Sequence, residues 1–113
     1  MDTPASPPLH GAVVRMIAYQ PDAIVSRMLL KKDTGSVTLF AFDAGQELSE
    51  HTTPSDALVI LMEGRGHFRI EDAAYVLETG DTLLLPAGRP HAVKAIERFK
   101  MLLVMIRAGG GAV

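Results

Sequence analysis

His51 and His91 are the two side chains of this sequence best suited to chemistry. His51 closes the stretch GQELSEH and is followed by TTPSD, while His91 closes GDTLLLPAGRPH. A neutral imidazole offers one hydrogen-bond donor and one acceptor, and its ordinary pKa of about 6.5 lets it take or give a proton near neutral pH. Flanked by the Thr53 hydroxyl, such a pair could hold a carboxylate, carbonyl or hydroxyl, serve as an acid–base couple, or lend two nitrogens to a divalent ion. The plain alternative is two satisfied polar residues at strand ends. His67 follows Gly64-Arg65-Gly66 and is expected in a solvated turn; His10 belongs to a proline-containing arm and has no assigned role. Arg98 and Lys100 precede the last apolar run and read as surface residues. The six methionines read as core filler, with Met62, Met101 and Met105 forming an adaptable apolar wall. No serine has a histidine-plus-acid arrangement around it. The Gly64-Arg65-Gly66 turn leads into a strand rather than a helix, so it is no phosphate cradle.

Positioning two imidazoles requires strands that end where they stand. VVRMIA, IVSRMLL, VTLFAF, ALVILME, HFRIE, AYVLE, DTLLLP, HAVKAI and FKMLLVMI are short, aliphatic and separated by turn residues. This spacing predicts an all-β sandwich or barrel. The last run, ERFKMLLVMIR, also suits a buried helix, but the alternation of Phe99, Met101, Leu103 and Met105 favours a strand. Pro86-Ala87-Gly88 is a sharp corner that, with Pro90, aims His91 inward. His51 is expected at the start of another strand, facing it.

The bulk numbers narrow the field. At 113 residues the chain has the length of one domain, read as a loose arm over 1–11, a β-domain over 12–106 and a flexible tail over 107–113. Hydrophobic residues make up 48% and aromatic ones 5%, so aliphatic side chains must fill the core. A formal charge of -2 gives no basic field and argues against nucleic acid. The absence of cysteine excludes disulfides, thiol catalysis and zinc-finger sites. No secretory signal and no long apolar run is visible, so the expectation is a soluble, cytoplasmic chain with no membrane partner. Leu58–Met62 and Met101–Ile106 are apolar on both strand faces. One face lines the interior and the other needs a cover, which the second sheet of a sandwich, a loop or an identical subunit can supply; a homodimer is expected, with an N-terminal strand that exchanges with or leans on the partner subunit.

These segments resemble the two motifs of the cupin superfamily, the small jelly-roll barrels of the RmlC-like type. The first family motif runs G-x5-H-x-H-x(3,4)-E-x6-G and the second G-x5-P-x-G-x2-H-x3-N. Gly45, His51 and Gly64 match the first; Gly80, Pro86, Gly88 and His91 match the second. The resemblance implies an all-β, single-domain cupin-type jelly roll. In metal-bearing cupins the histidines and glutamate of these motifs hold one divalent ion that supports dioxygenase and related chemistry. Here Thr53 stands for the second histidine, Ala57 for the glutamate and Ala95 for the asparagine. Asp56 lies next to Ala57 but on the opposite strand face unless a bulge intervenes. Glu47 shares the parity of His51 but sits roughly 13 Å away along the strand, and Glu50 has the wrong parity. The degenerate motif therefore points to a small-molecule-binding barrel whose mouth is lined by His51, Thr53 and His91, with a divalent metal (iron, manganese, nickel or zinc) held weakly by His51 and His91. The alternatives are a metal-dependent dioxygenase, isomerase or decarboxylase using the same pair, metal-free acid–base chemistry by it, and a purely structural dimeric module.

Overall fold

The structure, a computed structural model, describes residues 7–107. Eight strands follow one 3₁₀ turn at Val13–Arg15: β1 (Ile24–Lys32), β2 (Gly35–Phe42), β3 (Glu47–His51), β4 (Ser55–Ile70), β5 (Ala73–Glu78), β6 (Thr82–Leu85), β7 (His91–Lys94) and β8 (Phe99–Arg107). All pair antiparallel. β1, β2, β8, the first half of β4 and β6 form one sheet, while β3, β7, the second half of β4 and β5 form the other. This is the expected all-β jelly roll. The final apolar run is strand β8, as its alternation indicated. No helix among the described residues is long and apolar enough to cross a membrane. The expected arm and tail lie partly outside the described residues, and Arg107, assigned to the tail, ends β8.

β4 explains how one chain closes two sheets. Its first half buries Ala57, Val59 and Leu61, and its second half buries Gly66, Phe68 and Ile70. The inward parity changes at a register shift between Leu61 and Glu63 against β8, a bulge that lets each half present its apolar side to the core. Gly64-Arg65-Gly66 is therefore not a turn but the crossing point of a continuous strand. Gly64 has φ +85°, and a Cβ there would collide with the Arg98 carbonyl oxygen. Only a residue without a side chain lets β4 bend past β8 at that point. Phe42 and Phe99 stack at 4.6 Å in the core beside Phe68.

The segment VVRMIA is not a strand. After the 3₁₀ turn, residues 16–20 cross the outer face of the first sheet, where Ile17 packs on Leu39 and Ala41 beside Val25, Met62 and Leu102. β2 is already hydrogen-bonded on both edges, so this segment can bury side chains but cannot join the ladder. Polar staples hold it: Arg27 Nη1 donates to the Met16 carbonyl at 2.9 Å, Lys100 Nζ to the Val14 carbonyl at 2.7 Å, and the Tyr19 hydroxyl to Glu63 Oε2 at 2.7 Å. Lys100, expected at the surface, is thus buried within β8 at 9% exposure. Met62 faces this strap, whereas Met101 and Met105 face the interior, so the three methionines form no single wall.

Candidate functional site

The corner at 86–90 is built before the histidine it delivers. The Ala87 amide donates to Asp56 Oδ1 at 2.8 Å and the Gly88 amide to the Thr53 carbonyl at 2.8 Å. The Glu71 amide donates to the Pro90 carbonyl at 2.8 Å, and Arg89 grips the Glu71 carboxylate through Nε and Nη2 at 3.0 and 2.7 Å. Gly88, at φ +78°, makes the turn without the strain a side chain would bring. The corner ties residues 86–90 to the stretch Thr53–Asp56, so the two histidine-bearing segments are joined before any ligand arrives.

His51 ends β3 rather than starting a strand, and it lies directly opposite His91 across the β3–β7 ladder. The ring centroids are 4.3 Å apart, edge to face at 67°. Each ring leans on the carbonyl two residues upstream: His51 Nδ1 donates to Ser49 O at 2.8 Å, and His91 Nδ1 to Arg89 O at 3.2 Å. A carbonyl only accepts, so Nδ1 of each ring carries a proton; as neutral rings both are Nδ1–H tautomers, with an Nε2 lone pair that no group among the described residues engages. His91 is 5% exposed, while His51 is open to solvent rather than turned fully inward. Burial lowers the His91 pKa below its ordinary value; the Arg89 carbonyl opposes that shift and nearby His51 adds to it. Half-buried Thr53 donates its hydroxyl to the Ser55 carbonyl at 2.9 Å, leaving its oxygen free only to accept.

The carboxylates considered from sequence all go elsewhere. Asp56 is exposed and caps the corner, a role that no local pattern reveals because its partner is 31 residues away. Glu47 lies opposite Lys94 on the outer face, because a register shift between Leu48 and His51 breaks the parity the two residues share in sequence. Glu50 pairs with Arg69 at 3.1 Å. Ala57 is buried at 3% exposure where a glutamate ligand would start. His67 sits half-buried in β4 opposite Lys94 and Val76, not in a turn. Among the described residues, no three histidines, cysteines or carboxylates come together as a metal-holding group. Two neutral imidazoles with no charged donor do not fit a tightly resident divalent ion.

Residues 38–107 match the cupin domain family, and the chain belongs to the cupin superfamily. It is similar to a conserved protein of unknown function from Streptococcus pyogenes, at 36% identity over 80% of each chain with a TM-score of 0.76. A cupin superfamily protein from Desulfitobacterium hafniense shares 27% identity over 85% of this chain and 88% of that one, with a TM-score of 0.82. A cupin 2 conserved barrel domain protein from Leptotrichia buccalis shares 34% identity and a TM-score of 0.81, over 84% of this chain and 46% of that longer one. No curated protein matches the sequence.

Proposed function

We propose that this cupin domain binds a small molecule at the mouth of its barrel, with His51, Thr53 and His91 as the polar contacts. The observation that carries the proposal is the pairing of two contacting imidazoles, both holding a carbonyl through Nδ1 and both with Nε2 unengaged among the described residues. With His91 held neutral, these nitrogens accept hydrogen bonds from a ligand hydroxyl, amide or protonated acid, and the Thr53 oxygen accepts another. A screen of small polyols, amides and acids by ligand-observed NMR tests this. Hits that bind the wild type should weaken at least about tenfold in the His51→Ala/His91→Ala variant. Hits that bind both proteins equally would remove the histidines from the site.

The free Nε2 pair also favours a second reading, a divalent ion gripped weakly by His51 and His91 with its remaining positions left to water or substrate, as a cupin enzyme would use it. When bound, the ion would supply Lewis acidity; the chain's own part is to hold both imidazoles correctly turned and His91 neutral. Crystals soaked in millimolar divalent metal decide between the two: anomalous signal between His51 and His91 favours the enzyme, and its absence favours the binding module.

The domain's partner in this proposal is a second copy of itself. Leu30, Val37, Val104, Leu58 and Leu84 form one cross-strand row on the outer face of the first sheet, beyond the reach of the N-terminal strap. Leu30 and Leu84 are 50% and 52% exposed. A two-fold axis laying this row on its own image stacks apolar side chains on apolar side chains.

A further inference from the structure

Beside the β1–β2 turn and the end of β8 lies a cationic pocket that the histidine pair does not explain. Lys31, Ser36 and Met105 lie side by side on the inward face of β1, β2 and β8, and Ser55 lies opposite Arg107 on the next row. With Lys32 and the β1–β2 turn they enclose a cavity of about 260 Å³. The chain as a whole has a formal charge of -2, yet this pocket gathers Lys31, Lys32 and Arg107 against Asp33 as its one acidic lining residue. Arg107 is held in place: its amide donates to the Thr34 carbonyl at 2.9 Å and its Nη1 to the Asp33 carbonyl at 3.1 Å. That leaves the remaining guanidinium donors for another acceptor. Ser55 is buried at 8% exposure, and Met105 gives the floor an apolar patch. Ser55 is four residues from His51, so their Cα atoms lie within about 14 Å of each other by chain reach alone.

We infer that this pocket is an oxyanion seat, taking the carboxylate or phosphate head of a small molecule whose apolar body rests on Met105. It rests on the proposal that a small molecule enters the barrel mouth, and it specifies the ligand as an anion. Two cations and two serine hydroxyls on one inner surface suit oxygens that carry negative charge and accept several donors. The concentration of like charge in a recess also raises the local anion concentration. Neither feature has a use for a neutral ligand.

The experiment titrates isotope-labelled full-length protein with benzoate, phenyl phosphate and benzamide, following backbone amide and imidazole NMR signals. Benzoate and benzamide share a shape and differ in charge. Saturable shifts at Ser36, Ser55 and Arg107 with either anion, absent with benzamide, support the seat; whichever anion binds more tightly identifies the head group. Lys31→Gln and Arg107→Gln, both exposed positions, should each weaken anion binding about tenfold, and binding should fall with added salt. Shifts that also reach His51 and His91 support seat and histidine site together. Shifts confined to the seat support it while removing the histidines from ligand binding. Equal responses to benzoate and benzamide, or shifts at the imidazoles alone, overturn the seat and leave the barrel-mouth proposal standing. No saturable response to any probe also overturns the seat, while the barrel-mouth proposal stands or falls on its own wider screen.

Discussion

His91 is the residue whose surroundings most clearly set its chemistry. It is buried and faces His51, and its ring leans on the Arg89 carbonyl. Its folded pKa lies below the ordinary 6.5, so around that pH the folded chain binds fewer protons than the unfolded one. The sign follows directly. The stability linked to His91 is present above the unfolded value and is lost as pH falls through the lowered folded one. Urea unfolding should therefore show a midpoint that drops between about pH 7 and pH 5, with the His91→Gln variant dropping less. An identical pH dependence in the two proteins would show that His91 charges freely in the fold. The same burial keeps the ring neutral near pH 7, the form in which its Nε2 can accept a hydrogen bond.

The N-terminal strap shows how an element can be held by polar contacts on an apolar bed. Tyr19 is flanked by Arg98 at 4.0 Å and Lys100 at 5.1 Å from its ring, while its hydroxyl donates to Glu63. Burial, followed by Glu63, raises the phenol pKa above its ordinary value of 10.0. The contribution this makes to stability is complete below that value and is lost as pH rises beyond it. Tyr19→Phe should cost about 1 kcal/mol at neutral pH, the worth of one hydrogen bond, and should remove part of the alkaline loss. Denaturation curves at about pH 7 and pH 10.5 measure both. An unchanged midpoint at neutral pH would mean the Tyr19–Glu63 contact contributes nothing to holding the strap. Nothing in VVRMIA separates a strap from a strand, since both pack aliphatic residues on a sheet; the choice follows from β2 having no free edge.

At the scale of the whole molecule, the strap covers one part of the outer sheet face and leaves the Leu30–Val37–Val104–Leu58–Leu84 row open. Burying such a row contributes roughly 25 cal/mol for each Å² of apolar surface removed from water, which favours self-association. Light scattering on a sizing column should give twice the chain mass for the wild type and a single mass for Leu58→Glu, with unchanged far-UV circular dichroism. A wild-type monomer at tens of micromolar would exclude the dimer. The row and the strap together account for segments that are apolar on both faces. Leu58 to Met62 packs inward with Val59 and Leu61, while Met62 faces the strap and Leu58 and Ile60 line the outer face.

The all-β class, the order of the two histidine motifs and the corner at Pro86–Gly88 were legible in the sequence because each depends on local rules, while the jelly roll itself was implied by the family resemblance those motifs carry. Strands alternate, turns need glycine or proline, and residues a few positions apart stay close whatever the remaining chain does. What the tertiary structure decided depends on partners far along the chain. Pairing with β8 placed the β4 bulge that switches which side faces inward, and pairing with β7 sent Glu47 outward while His51 met His91. The burial of Lys100 and the capping of the corner by Asp56 arise in the same way, from contacts across 86 and 31 residues. A strand's alternation specifies two faces but not which one is covered, and only the neighbouring strands settle that.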